Sequence, residues 1–241
     1  MTGLPAPLGE DRVHLWCVAL RAPVELERAF EQTLSSQEAE RSRRFATLTL
    51  RRRFALSHGV LRLLLSRYLN IAPAKIVFGY GPAGKPFIEN DGAGIQFNMS
   101  HSDDLAVYAF AAKCRLGVDV ERIRSMPDLM GVAKLSFSEQ EYGELLSLPD
   151  AEQTAAFFRC WTRKEAYVKA VGQGLSLALE SFQVNFRPEQ PVALRVLPPG
   201  DRCQTWQIRD IAPPGYAGAV VFDGADHAVE EKPLCAAEDL I

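Results

Sequence analysis

One order of segments occurs twice in this chain and constrains its fold more than any other feature: a long helical stretch, then short apolar runs broken by polar turns. In the first half Leu50, Phe54, Leu61, Leu65 and Tyr68 recur at three-to-four spacing with one seven-residue gap, which predicts an amphipathic helix ending near Asn70. Upstream, Ser35 with Glu38 three residues on matches a capping box, so a helix starts at Ser35 or Ser36. Residues 13–20 and 76–78 read as strands, and the glycines and prolines of 79–86 as a loop. Residues 95–98, 105–111 and 116–120 read as one small antiparallel sheet. The second half has a capping box at Ser138 and Glu141, a long helix from about 150 to 171, and Gly172 as its left-handed stop. Strand-like pieces follow at 182–186, 192–196, 205–208 and 217–222. The polar tail, 223–241, reads as peripheral. No repeat is visible in the residues themselves.

A chain of 241 residues, 47% of them hydrophobic, suits one large domain or two smaller ones and buries a core without disulfide or metal staples. Its five cysteines form no C-x-x-C pair and its four histidines no H-x-x-x-H, so neither a zinc site nor a disulfide framework is legible, and a reducing compartment is favoured. No charged leader precedes an apolar run and no window approaches a membrane span, so a cytoplasmic protein with no membrane contact is expected. Net charge is −3, but residues 41–67 hold eight arginines and no acid, leaving −11 on the rest. That block reads as a solvated helix face, a nucleic-acid patch or one wall of a pocket for a compact polyanion. Phe45 and Phe54 are its only interleaved aromatics, and the helical period assigns them to the core, which disfavours nucleic acid.

Three short motifs carry chemistry. In Leu116-Gly-Val-Asp-Val-Glu121 the period of a strand sends Val118 and Val120 to the core and Asp119 with Glu121 to the other side. Paired carboxylates repel unless a cation sits between them, and oxygen-only ligands suit Mg²⁺; a solvated face balanced by Arg122 or Arg124 is the bland alternative. In Trp161-Thr-Arg-Lys-Glu-Ala-Tyr-Val-Lys169, Glu165 and Lys169 are neighbours on a helix, either as a surface ion pair or as part of a site in which Lys164 and Lys169 meet phosphate oxygens. Asn98, Ser100 and His101 can donate hydrogen bonds to an anion, or simply line a turn.

Taken together and in order, Arg41-Ser-Arg-Arg-Phe45, Gly84-Lys85-Pro86, Phe97-Asn-Met-Ser-His-Ser102, Gly117-Val-Asp-Val-Glu121, and Trp161 to Lys169 followed by Gly172-Gln-Gly-Leu175 resemble the 4′-phosphopantetheinyl transferase family of the surfactin-synthetase-activating type. The resemblance covers residues 35–186. It implies an enzyme that moves the phosphopantetheine arm of coenzyme A onto a serine of an apo acyl, peptidyl or polyketide carrier protein and releases adenosine 3′,5′-bisphosphate. It also implies Mg²⁺, with Mn²⁺ as a substitute, on Asp119, Glu121 and Glu165. Glu165 would be the base, Lys169 and Lys164 would contact the pyrophosphate, and Arg41, Arg44, Arg53, Lys85, Ser100 and His101 would hold the 3′-phosphate and adenine end. This chain departs from family members that carry a basic residue three positions before Arg41, since it has Glu38 there. A fold of two similar subdomains, 1–115 and 116–222, with the site between them is implied, α+β in class and monomeric. The rival reading is a non-catalytic coenzyme A or nucleotide-binding module, which would need neither the three carboxylates nor a metal.

Overall fold

The computed structural model describes residues 8–240 apart from 91, 93, 204, 212, 225 and 226. The first half contains β1 (Arg12–Ala19), α1 (Val24–Thr33), α2 (Ser36–Arg43), α3 (Leu48–Leu69), the hairpin β2 (Phe78–Tyr80) and β3 (Pro86–Ile88), β4 (Ile95–Ser102) and β5 (Leu105–Ala112). The second contains β6 (Leu116–Arg122), α4 (Leu129–Ser136), α5 (Glu139–Leu146), α6 (Asp150–Val171), the hairpin β7 (Gln183–Val184) and β8 (Leu194–Val196), β9 (Trp206–Ile211) and β10 (Tyr216–Asp223). Two short strands, β11 (Ala228–Glu231) and β12 (Cys235–Ala236), close the chain's path.

Both capping boxes form. The Ser35 and Ser138 hydroxyls accept the N–H groups of Glu38 and Glu141, whose carboxylates reach back to the capping residues' own N–H. α3 stops at Asn70 and α6 at Gly172, both left-handed. Between α2 and α3 lies a break that the apolar period did not reveal, because Thr47 caps α3 by accepting Leu50 N–H. Helices α1 and α4 were not anticipated either. The stretch 79–86, read as a loop, is the turn of a hairpin in which Tyr80 pairs Pro86 and Gly81 N–H donates to Lys85 O.

The expected three-strand sheet is divided. β4 and β5 pair with each other, and β5 pairs β1, whereas β6 pairs β10 in a second sheet of order β6-β10-β9. The physical reason is burial on two faces. Ala106, Tyr108 and Phe110 of β5 pack under α3, while Val107, Ala109 and Ala111 pack against Val118 and Val120 of β6 and Val220 and Phe222 of β10. The opposite face of the second sheet, with Ala217, Ala219 and Val221, is covered by α6. The layers therefore run α3, first sheet, second sheet, α6, an α+β architecture in which each half lays a long helix on a sheet.

The tail is not peripheral. β11 and β12 add to β1 in parallel, continuing the first sheet, and Ala237 and Leu240 are fully buried in the core beneath α3. An apolar pair at the end of a polar segment is too short a signal to read from the sequence, yet it assigns the tail to the first half.

Candidate active site

Strand β6 and helix α6 touch backbone to backbone at Gly117. A Cβ there would stand 2.2 Å from Ala166 O and 2.3 Å from Ala170 N, so only glycine permits the approach. Two residues further along the same face of β6, Asp119 therefore faces α6, where Glu165 and Lys169 lie one turn apart. Lys169 Nζ donates to Asp119 Oδ1 at 2.7 Å and to Ser100 Oγ at 3.2 Å. Ser100 Oγ donates to the same carboxylate oxygen at 2.8 Å. Asp119 Oδ2 is buried with no hydrogen-bond partner among the described residues. Glu121 accepts from Ser102 Oγ at 2.7 Å.

Electrostatics bind the three carboxylates into one unit. Burial first, then the charge of Asp119, raises the Glu165 carboxyl above the ordinary range, with Lys169 opposing and Glu121 adding to the rise. Glu121 is raised by burial and by Asp119, against the Ser102 hydrogen bond. Mutual repulsion of this kind is relieved by a divalent cation, and an orphaned buried carboxylate oxygen is a ready ligand. As the side chains stand, no three acidic, histidine or cysteine groups among the described residues converge on a point at ligand distance, and the Lys169 ammonium sits on Asp119 Oδ1. The donor set fits a hard cation in chemistry, with Asp119 Oδ2 open to ligation while Lys169 holds Oδ1.

A cleft of about 650 Å³ opens beside this cluster. Arg41, Glu165 and Lys169 line it, together with Leu135, Leu177 and Leu179. Lys85 also lines it, its Nζ donating to Leu116 O at 2.8 Å and Ala170 O at 3.2 Å. Burial, then the Arg115 charge, pulls the Lys85 ammonium down to about 8. On β4, alternation turns His101 to the face opposite Ser100. Desolvation and the nearby cations His58, Lys169 and Arg53 depress its imidazole to about 4.

Two expectations are corrected. Lys164 does not reach the cleft. It is fully buried, its Nζ donates to Leu179 O and Phe182 O, and it pairs with the equally buried Glu141 at 2.8 Å. One residue from Glu165 on a helix is a rotation of about 100°, which sends Lys164 into the core as Glu165 turns outward. The arginine block is not one wall. Among its members Arg41 alone lines the cleft, its guanidinium over the Phe54 ring at 5.5 Å. Arg53 is held by Asp103 and Asp104 at 3.3 and 2.9 Å. Arg44 pairs with Glu40 on the surface, and Arg52 with Glu27. Arg62 is buried, donating to Glu38, Pro73 O and Ile76 O. Glu38, in turn, takes His58 as a further partner at 3.2 Å. The departure at Glu38 thus belongs to an internal ion-pair network rather than to the cleft.

The sequence reading gives Asn98 a part only as an anion donor and gives Ser102 none. Both face the neighbouring strand: Asn98 Oδ1 accepts Val118 N–H at 2.8 Å, and Ser102 Oγ accepts Arg122 N–H at 3.1 Å. Polar residues at every second position of β4 (98, 100, 102) were the available signal.

Comparison with known proteins agrees with this geometry in both halves. The family model described as "4'-phosphopantetheinyl transferase superfamily" matches residues 115–221, and that described as "4'-phosphopantetheinyl transferase, N-terminal" matches 22–113. The boundary falls at the β5–β6 connection. The 4'-phosphopantetheinyl transferase HetI of Nostoc sp. is 38% identical over 226 residues, 91% of this chain and 92% of its own length. The 4'-phosphopantetheinyl transferase Sfp of Bacillus subtilis is 32% identical over 88% of this chain and 92% of its own. The enzyme gsp of Aneurinibacillus migulanus, of the same name, is 33% identical over 72% of each. With both halves matched and the similarity running through the carboxylate strand and the Glu165 helix alike, the chain belongs to the 4'-phosphopantetheinyl transferase superfamily.

Proposed function

We propose that this chain transfers the 4′-phosphopantetheine arm of coenzyme A to the serine hydroxyl of an apo acyl, peptidyl or polyketide carrier protein, releasing adenosine 3′,5′-bisphosphate. The observation that carries the reading is the coupled trio Asp119, Glu121 and Glu165 beside Lys169, with Asp119 Oδ2 left unsatisfied, next to the cleft that Glu165 and Lys169 line.

Asp119, Glu121 and Glu165 would hold Mg²⁺, or Mn²⁺ in its place. When bound, the ion neutralises charge on the pyrophosphate as the bridging oxygen leaves. Lys169, displaced from Asp119, turns its ammonium to a pyrophosphate oxygen. Arg41, Ser100 and His101 receive the 3′-phosphate end, and a dianion there reverses the field that now discourages His101 from taking a proton. Lys85 keeps one N–H beyond its two carbonyl bonds to offer the cleft. Arg44 and Arg53 contribute to the same end only by leaving Glu40 and the Asp103–Asp104 turn. The lining leucines Leu135, Leu177 and Leu179 suit the uncharged arm.

In the transfer, the serine Oγ–phosphorus bond forms as the phosphorus–bridging oxygen bond breaks, and the serine proton passes to Glu165. Glu165 lines the cleft beside Lys169, which supports that role. The test is incubation with coenzyme A, Mg²⁺ and several apo carriers, followed by weighing the carriers. Glu165→Gln should lose transfer by about 10²- to 10⁴-fold while still binding coenzyme A. If no carrier gains mass, and Glu165→Gln binds Mg²⁺ and coenzyme A as the parent does, the reading fails.

A further inference from the structure

The two sheets share an apolar layer, and beside it a row of polar side chains joins their edge strands β4 and β6. β4 ends the first sheet and β6 the second, yet neither supplies the other's backbone ladder. Instead Asn98, Ser100 and Ser102, at alternate positions of β4, reach across to β6. Asn98 takes the N–H of Val118 and Ser102 that of Arg122, so the N–H groups on either side of the Asp119-to-Glu121 segment are tied to the other half of the molecule. Both side chains are buried, at 6% and 7% exposure, where an unpaired N–H would go unsatisfied by water.

Ser102 has a double engagement. Its hydroxyl has one proton, and that proton goes to Glu121 Oε2 at 2.7 Å, while its lone pair receives Arg122 N–H at 3.1 Å. The first bond fixes one oxygen of Glu121, Oε2. The second fixes the strand from which Glu121 projects. Ser100 differs, because it shares Lys169 and Asp119 with the cleft itself.

We infer that Ser102 and Asn98 are positioning residues that reach from one half of the molecule to aim the carboxylates of the other, so that assembly of the divalent-cation site depends on the seam between the halves. The inference rests on the reading of Asp119, Glu121 and Glu165 as cation ligands. Ser102 is not among the residues that line the cleft; Asn98 lines it and acts on β6 through Val118 N–H. A hydrogen bond to a charged group, removed from a buried setting, weakens the orientation of that group without removing the group.

The experiment uses the whole chain and Mn²⁺ as the probe, following the free-ion signal by electron paramagnetic resonance. Ser102→Ala should bind Mn²⁺ about tenfold more weakly than the parent, and Ser102→Thr, which keeps the hydroxyl, within about twofold of it. Asn98→Ala should weaken Mn²⁺ to a similar extent as Ser102→Ala. Coenzyme A binding measured in chelator should be unchanged in Ser102→Ala and Ser102→Thr. Were Ser102→Ala not to fold, Ser102→Thr against Ser102→Val, which differ in the hydroxyl, makes the same comparison. A merely structural role would lower the melting temperature of Ser102→Ala and leave Mn²⁺ affinity as in the parent, and that result overturns the inference. A parent chain that itself binds no Mn²⁺ overturns the ligand assignment instead.

Discussion

Replacing Gly117 by alanine tests whether the site depends on the contact between β6 and α6. Gly117 has no need of a left-handed backbone; its hydrogen is required because the helix backbone occupies the place of a Cβ. The added methyl would lie 2.2 Å from Ala166 O, 2.3 Å from Ala170 N and 2.8 Å from Lys169 C, all backbone atoms that no rotamer change can move. Ordinary contact begins near 3.4 Å, so α6 must retreat by about 1.2 Å. The same helix carries Glu165 and Lys169, and the same strand Asp119, so the 2.7 Å bond from Lys169 to Asp119 lengthens by a comparable amount. Overpacking of this kind costs about 1 to 3 kcal/mol of stability. A displacement of about 1 Å among reacting groups costs about 10²-fold in rate. Transfer to an apo carrier under saturating coenzyme A and Mg²⁺ gives kcat, and a urea melt gives stability. Gly117→Ala with kcat within threefold of the parent would show that the carboxylates are not held by this contact, and the reasoning from β6 to α6 would fall with it.

Other outcomes follow from buried groups. Lys164→Met leaves the Glu141 carboxylate buried and unpaired, and should cost about 3 to 5 kcal/mol in urea unfolding while the folded fraction binds coenzyme A as before; unchanged stability with weaker coenzyme A binding would return Lys164 to the pyrophosphate. Burial alone would raise Glu38, but hydrogen bonds from His58 and Ser35 N–H, with Arg62 beside it, hold it at about 2 against the ordinary 4.5. Its contribution is therefore fully present above about pH 4.5 and is lost as pH falls through about 2, of order 3 kcal/mol in all. Glu38→Gln should flatten that acid limb of stability measured by denaturant titration, and an unaltered limb would contradict the assignment. Because Glu121 and Glu165 are both raised, they hold protons to higher pH than ordinary carboxylates, so the Mg²⁺ concentration for half-maximal rate should climb on acidification before most carboxylates titrate. Leu240→Ala should lower stability by about 2 to 5 kcal/mol in a thermal or urea melt, as a core residue and not as part of a loose tail.

Much of this was legible because it is local. Capping boxes, the ends of both long helices, and the alternation that separates Asp119 and Glu121 from Val118 and Val120 are properties of a few adjacent residues. The partners of those elements are not local. Nothing in the run 116–120 distinguishes pairing with β5 from pairing with β10, about 100 residues away, since both offer small apolar faces. Lys164 and Lys169 are both lysines of one motif, and only the rotation of α6 against β6 decides which is solvated. The arginines read as one charge block because the sequence does not display Glu27, Asp103, Asp104 and Glu40, the carboxylates that take them up singly.

The parallel addition of β11 and β12 to β1 has a consequence for biogenesis. The second half is continuous in sequence from β6 to β10, whereas the first is built from two pieces on either side of it. As the chain leaves the ribosome, β1 can pair β5 early, but its other edge stays bare while more than a hundred further residues are made. That edge is sealed only by residues 228–236, and the space under α3 filled only by Ala237 and Leu240. The first half is thus the last to be completed, and a fragment ending after β10 would carry the whole carboxylate strand and helix on a first sheet with an open, aggregation-prone border.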